Sequence, residues 1–216
     1  MLSSVTRPTS VATDEMSSSV VRVARNSLWS IGGWAGVLLL GFITSPFLIR
    51  LLGKDQYGLM ALLTSIVTPL GLLDFGIGEA TIKYVAESMG RKDYIQAGKY
   101  VRSTLTFNLS VGVLGGIVIA LLAGFLVTSV FNIPTDNQAL ARQCLYWIGM
   151  TWCVTQIRQT FIGAVTALQR YEILNAGTMF SQTVTVTAGL GVLFLGGNLL
   201  DLVRAQAMVA TLMGLG

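Results

Sequence analysis

The stretches of this chain that carry no charged side chain are too long for a soluble fold. Residues 26–49, 56–73, 103–135 and 173–200 contain no Asp, Glu, Lys or Arg, and residues 143–169 contain only Arg158. An α-helix rises ~1.5 Å per residue, so about 20 residues cross the ~30 Å hydrocarbon core of a bilayer. These runs meet or approach that length. In hydrocarbon, every backbone N–H and C=O must find its partner inside the protein, which leaves helices and closed barrels as spanning structures. Barrel strands alternate in polarity over segments of about 10 residues. Only residues 183–187 alternate here, inside a longer apolar run, so the runs read as helices. Composition agrees: 53% of residues are apolar and 11% charged, against roughly 25% charged in an ordinary soluble domain. The chain contains no His, which removes His-based acid–base chemistry and His-ligated metals.

The expected fold is an all-α, polytopic transmembrane helix bundle. It has five full spans and an incomplete sixth, at about 27–49, 57–85, 103–130, 143–168, 173–197 and 203–216. The last run starts after Arg204 and ends on Gly-Leu-Gly without a polar flank, so the expectation is a chain truncated inside its sixth helix. Residues 1–19 hold no apolar core or cleavage site of a signal peptide. They are expected to form a disordered cytoplasmic tail, with residues 20–216 as one transmembrane lobe.

Basic residues accumulate on the cytoplasmic side of membrane proteins. The N-terminal segment holds Arg7, Arg22 and Arg25. The connection after the second span holds Lys83, Arg91, Lys92, Lys99 and Arg102, and the one after the fourth holds Arg170. The opposite side has only Arg50, Lys54, Arg142 and Arg204. The N-terminus is therefore expected in the cytoplasm. The outer connections are too short to fold into a catalytic domain. No phosphate-cradling Gly loop, metal-ligand cluster or nucleophile with its base is present in the sequence. A non-enzyme without cofactor or metal is expected, and dispersed basic residues argue against a nucleic-acid partner. Cys144 and Cys153 fall about 13 Å apart along one helix, too far to pair, since a disulfide needs Cα atoms within ~7 Å.

A charge at the bilayer centre costs ~2.5–3.5 kcal/mol on insertion scales, so each one present calls for an explanation. Helical spacing puts Thr151, Thr155, Arg158, Gln159 and Ile162 on roughly one face. Arg158 reads either as a phosphate-binding arginine, with Thr155 and Gln159 beside it, or as a structural cation paired to an acid on another helix. Glu79 and Lys83 have the spacing of a helical ion pair. Asp74 follows Pro69 and Gly71 and precedes Gly76 and Gly78. Those residues weaken the helix and mark a kink or opening, and Asp74 is a possible partner of Arg158. Gly112, Gly116, Ala120 and Gly124 form a small-residue ladder for helix packing, and Gly32 and Gly36 do the same on the first helix. Thr178, Ser181, Gln182 and Thr185 either line a wet path or bond their own backbone.

The stretch Phe47-Leu-Ile-Arg-Leu-Leu-Gly-Lys-Asp-Gln-Tyr-Gly-Leu59, then Leu72-Leu-Asp-Phe-Gly-Ile-Gly78 and Ile82-Lys-Tyr-Val-Ala-Glu87, resembles the start of the polysaccharide-biosynthesis flippases. These are the O-antigen-type exporters within the multidrug/oligosaccharidyl-lipid/polysaccharide exporter superfamily. The specific likeness covers about residues 27–90. It differs from the family pattern in the Phe of Asp74-Phe-Gly76. The resemblance implies a bacterial inner-membrane protein of two helical lobes around a cationic cavity, with this chain as the N-terminal lobe, inactive without its C-terminal lobe. The implied substrate is an undecaprenyl-pyrophosphate-linked oligosaccharide, met by Arg158 first and Lys83 second. Membrane lipid, polysaccharide polymerase and glycosyltransferases are the other implied partners. Two alternatives stand beside this reading. One is a cation-coupled small-molecule exporter with Asp74 or Glu79 as the coupling carboxylate. The other is a non-transporting scaffold that docks synthesis enzymes through residues 87–102.

Overall fold

The computed structural model describes residues 9–70 and 76–214, with side chains described from Ile31 onward except Trp34 and Leu70. Gly71 and Asp74 lie outside the described residues. The described residues form helices and no strand. They run as α1 (Thr9–Thr64), α2 (Val67–Leu70), α3 (Ile77–Gly90), α4 (Tyr94–Phe125), α5 (Thr135–Ala167), α6 (Tyr171–Phe194) and α7 (Leu199–Gly214). A π turn, Leu126–Val130, extends α4.

Helix α1 is two helical arms joined at Gly53, whose φ of 79° and ψ of 164° lie outside the helical region. That backbone region is open essentially to glycine alone, so one residue does the work of the expected outer loop. The second span, expected over 57–85 with a kink or opening near Pro69 and Gly76, is interrupted. The second arm of α1 stops at Thr64, a turn at Ser65 and Ile66 follows, and α2 and α3 continue. Pro69 in α2 has no N–H to donate. Gly76 holds a left-handed φ of 73° ahead of α3, which side chains resist and glycine does not.

The start of the chain also differs from expectation. Helix α1 begins at Thr9, so residues 9–19, read as disordered tail, are helical. That segment contains neither Gly nor Pro.

Local chemistry explains the connections. Between α3 and α4, Lys92 takes a positive φ of 58°, and the Asp93 side chain accepts from Gln96 N at 3.0 Å to cap α4. Before α7, Asn198 Oδ1 accepts from Leu200 N at 2.9 Å. Leu199 N donates to Gln56 Oε1 on α1 at 3.3 Å, which ties the start of α7 to the Gly53 bend.

Two stretches, Ile31–Pro69 and Tyr94–Val130, are long and apolar enough to cross a membrane. Helices α5, 33 residues, and α6, 24 residues, exceed the ~20-residue crossing length but carry Arg158 and rows of hydroxyls. Helix α7, with 16 residues, spans only about 24 Å. Large apolar side chains face outward, with Phe42 on α1 81% exposed and Leu121 on α4 78% exposed. Exposed apolar surface on this scale suits lipid rather than water.

The main apolar core gathers Leu63 of α1, Ile119 and Ala123 of α4, Cys144 and Leu145 of α5, Leu193 of α6 and Leu199 and Leu202 of α7. A small second cluster, Val85, Ala97 and Ala167, holds the other end of α3, α4 and α5 together. The α4–α5 pair is the closest packed. A Cβ on Gly116 would stand 3.1 Å from the Gly149 carbonyl oxygen, and one on Gly112 would stand 3.2 Å from the Cys153 Cα. Ala120 is exposed and Gly124 faces open space, so of the expected four-residue ladder only Gly112 and Gly116 stand at the contact. A strict step of four advances ~40° around the helix each time. The buried face of α4 instead follows Thr104, Asn108, Gly112, Gly115, Ile119 and Ala123. On α1, the contact with α6 is made by Gly33 against Asn175 and Gly36 against Met179, while Gly32 has open space.

Candidate functional site

Helix α5 forms a wall of two clefts. The first, about 390 Å³, lies between the second arm of α1, α2, α5 and α7, and is lined by Met60, Leu63, Val67, Ile148, Trp152 and Val203 among others. Three of its four threonines, Thr64, Thr151 and Thr155 but not Thr68, are spent on their own helices. Thr64 Oγ1 donates to Met60 O, Thr151 Oγ1 to Trp147 O and Thr155 Oγ1 to Thr151 O, each at 2.9 Å. Such back-bonding removes the hydroxyl proton from the cleft, so the wall presents mainly carbon.

The second cleft, about 330 Å³, lies between α5, α6 and the end of α7. Arg158 enters it from α5, with Phe161, Ile162 and Val165. Helix α6 contributes Leu174, Thr178, Phe180 and Ser181. Arg158 is half-buried. The ion pairs among the described residues are Arg91 with Glu87 at 2.6 Å and Arg204 with Asp201 at 3.7 Å. No described carboxylate neutralises Arg158, so its planar fork of N–H donors is not engaged by a described acid.

The structure separates residues that the sequence groups together. Thr155 and Arg158 share a face of α5 but line different clefts, and Gln159 is exposed and lines neither. Lys83 is exposed on α3, away from the Arg158 cleft, with its Nζ 5.8 Å from the centre of the Tyr84 ring. Tyr84 in turn stacks on Tyr100 of α4 at 5.3 Å. Glu79 and Lys83 form no ion pair, which corrects the expectation from their spacing. Glu79 sits in the first turn of α3, where the helix dipole already favours it, and exposed i,i+4 pairs return little. Gly78 lies in the same first turn of α3, and Pro69 lies in α2. Cys144 and Cys153 are both free thiols.

A buried polar seam joins α3, α4 and α5, and it had not been expected from the sequence. Thr81 Oγ1 and Thr104 Oγ1 are 2.6 Å apart, and Asn108 Nδ2 donates to Thr160 Oγ1 at 2.9 Å. Thr81 passes its own proton to Ile77 O at 2.7 Å, so Thr104 is the donor between the two hydroxyls. The signal for this seam was the four-residue spacing of Thr104 and Asn108 inside a charge-free run. Among the described residues, no three His, Cys, Asp or Glu side chains gather as metal ligands.

A family model described as polysaccharide biosynthesis protein matches residues 23–216 of the chain. No curated protein and no solved structure matches it.

Proposed function

The chain belongs to the polysaccharide biosynthesis protein family, and from that premise we propose that it works in the membrane translocation of lipid-linked oligosaccharide for export. In this reading it is a multi-pass protein of the bacterial inner membrane with a cytoplasmic N-terminus and five spans. It moves its cargo without altering a covalent bond. The cargo is an oligosaccharide on undecaprenyl pyrophosphate, supplied by glycosyltransferases on the cytoplasmic side and passed to a polymerase outside.

The observation that carries the reading is Arg158. A guanidinium well inside a long helix is costly, and no described carboxylate offsets that cost. A phosphate group arriving in the cleft would do so, because two N–H groups of the fork match two phosphate oxygens. Pro69 and Gly76, at the interruptions between α1 and α3, provide places where the second span bends as the protein changes its opening.

The test is surface-polysaccharide display in cells that depend on this protein. Arg158→Ala is expected to abolish display while the protein still inserts at normal levels, and Arg158→Lys is expected to retain part of it. Normal display by Arg158→Ala removes Arg158 from the mechanism and overturns the reading.

A further inference from the structure

We infer that Thr178 and Ser181 on α6 complete the anion site that Arg158 begins on α5, making the second cleft a site for a phosphate carried on an apolar chain. The inference rests on the reading of Arg158 as an anion ligand, and it is carried by a difference among hydroxyls. Thr and Ser in a helix commonly give their proton to the carbonyl four residues back. On α6, Thr183, Thr185 and Thr187 do this at 2.8 Å. On α5, Thr151 and Thr155 do so at 2.9 Å and Thr166 at 2.7 Å. Thr178 and Ser181 do not. Both line the Arg158 cleft, and neither hydroxyl has a hydrogen-bond partner among the described residues. Three residues apart, they share a face of α6, so two unspent donors look into the space that the guanidinium enters from α5.

A phosphate has more acceptor oxygens than one arginine fork satisfies. Hydroxyls on the opposite helix supply donors on the side the fork leaves open. The rest of the wall selects what the phosphate is attached to. Phe161, Val165, Leu174, Phe180 and Met213 are apolar, so a free hydrated anion would lose its water against carbon without compensation. An anion whose other end is hydrocarbon buries that end here. The first cleft offers the contrast, since it has no charged side chain in its lining to pair with an anion, and three of its four threonine hydroxyls, those of Thr64, Thr151 and Thr155, are spent on backbone.

The experiment is calorimetric titration of the full chain in phosphatidylcholine nanodiscs with farnesyl pyrophosphate, inorganic pyrophosphate and farnesol. Farnesyl pyrophosphate is expected to bind saturably and at least about tenfold more tightly than inorganic pyrophosphate. Thr178→Val with Ser181→Ala should weaken it by about tenfold, the scale of lost hydrogen bonds to a charged group, and leave farnesol binding unchanged. Ser181→Ala alone, the smaller structural change, should weaken it by about threefold. Thr178→Ser, and the pair Thr183→Val with Thr187→Val, should bind as the unaltered protein does.

If the Thr178/Ser181 double variant binds at full strength while Arg158→Gln does not, the hydroxyl site is overturned and the Arg158 reading stands. Full-strength binding by Arg158→Gln overturns both. Equal affinity for the farnesyl and inorganic forms overturns the apolar-chain part.

Discussion

Asn108 Nδ2 donates to Thr160 Oγ1 at 2.9 Å, joining α4 to α5 through side chains that are only 2% and 1% exposed. One turn along α4, Thr104 meets Thr81 of α3. In the other direction Gly112 lets the α5 backbone approach at Cys153. Interhelical polar contacts in membranes contribute about 0.6 kcal/mol on average and up to about 1.7. Asn108→Ala is therefore expected to lower stability by about 1–2 kcal/mol, because it also strands the Thr160 hydroxyl. Unfolding in mixed micelles measures this. In a double-mutant cycle with Thr160→Val, purely additive losses would show that the bond contributes nothing.

Glycines on α4 should divide by face. Gly112→Val drives a branched side chain into the Cys153 backbone and should cost about 1–3 kcal/mol by overpacking. Gly124→Ala meets open space and should be neutral or gain up to about 1 kcal/mol from helix propensity. Thermal unfolding of the two variants separates them, and equal losses would contradict the packing face described above.

The bend at Gly53 makes a separate prediction. Gly53→Ala forces a side chain into φ 79°, ψ 164° and should cost about 1–3 kcal/mol. Gly90→Ala, at a helical position with no atom within 4 Å of its Cβ, should cost nothing. Unfolding midpoints of both proteins, measured side by side, test the pair.

Orientation is open to a labelling test in a background lacking Cys144 and Cys153. Lys99 and Asp136 are both exposed, near the start of α4 and the start of α5. With the N-terminus in the cytoplasm, a membrane-impermeant thiol reagent should label Asp136→Cys in intact spheroplasts and Lys99→Cys only after permeabilisation. The reverse pattern overturns the orientation drawn from the basic residues.

Much of the architecture was legible before any coordinate. Charge-free runs marked the long helices, and Pro69 with Gly76 marked the weak part of the second span. The site was legible only in part. Arg158 stood out because its charge interrupts an apolar run, but Thr178 and Ser181 were indistinguishable from Thr183 and Thr185, which share their chemistry and their helix. The helical start at Thr9 was hidden for another reason. A Ser- and Thr-rich segment resembles a tail in composition, although it contains no residue that stops a helix.

The sequence by itself determined that this is a helical membrane protein, where its chain turns, and that one arginine sits deep in an apolar helix. Those properties are local: they depend on what each residue is and on its near neighbours along the chain. Only the tertiary structure decided that α4 meets α5 along Asn108, Gly112 and Gly116 rather than through Ala120 and Gly124, and that Arg158 shares a cleft with Thr178 and Ser181. Lipid tails and helix surfaces are equally apolar, so hydropathy cannot tell a face that meets lipid from one that meets another helix. The rotation of each helix about its axis is set by close contacts between residues distant in sequence.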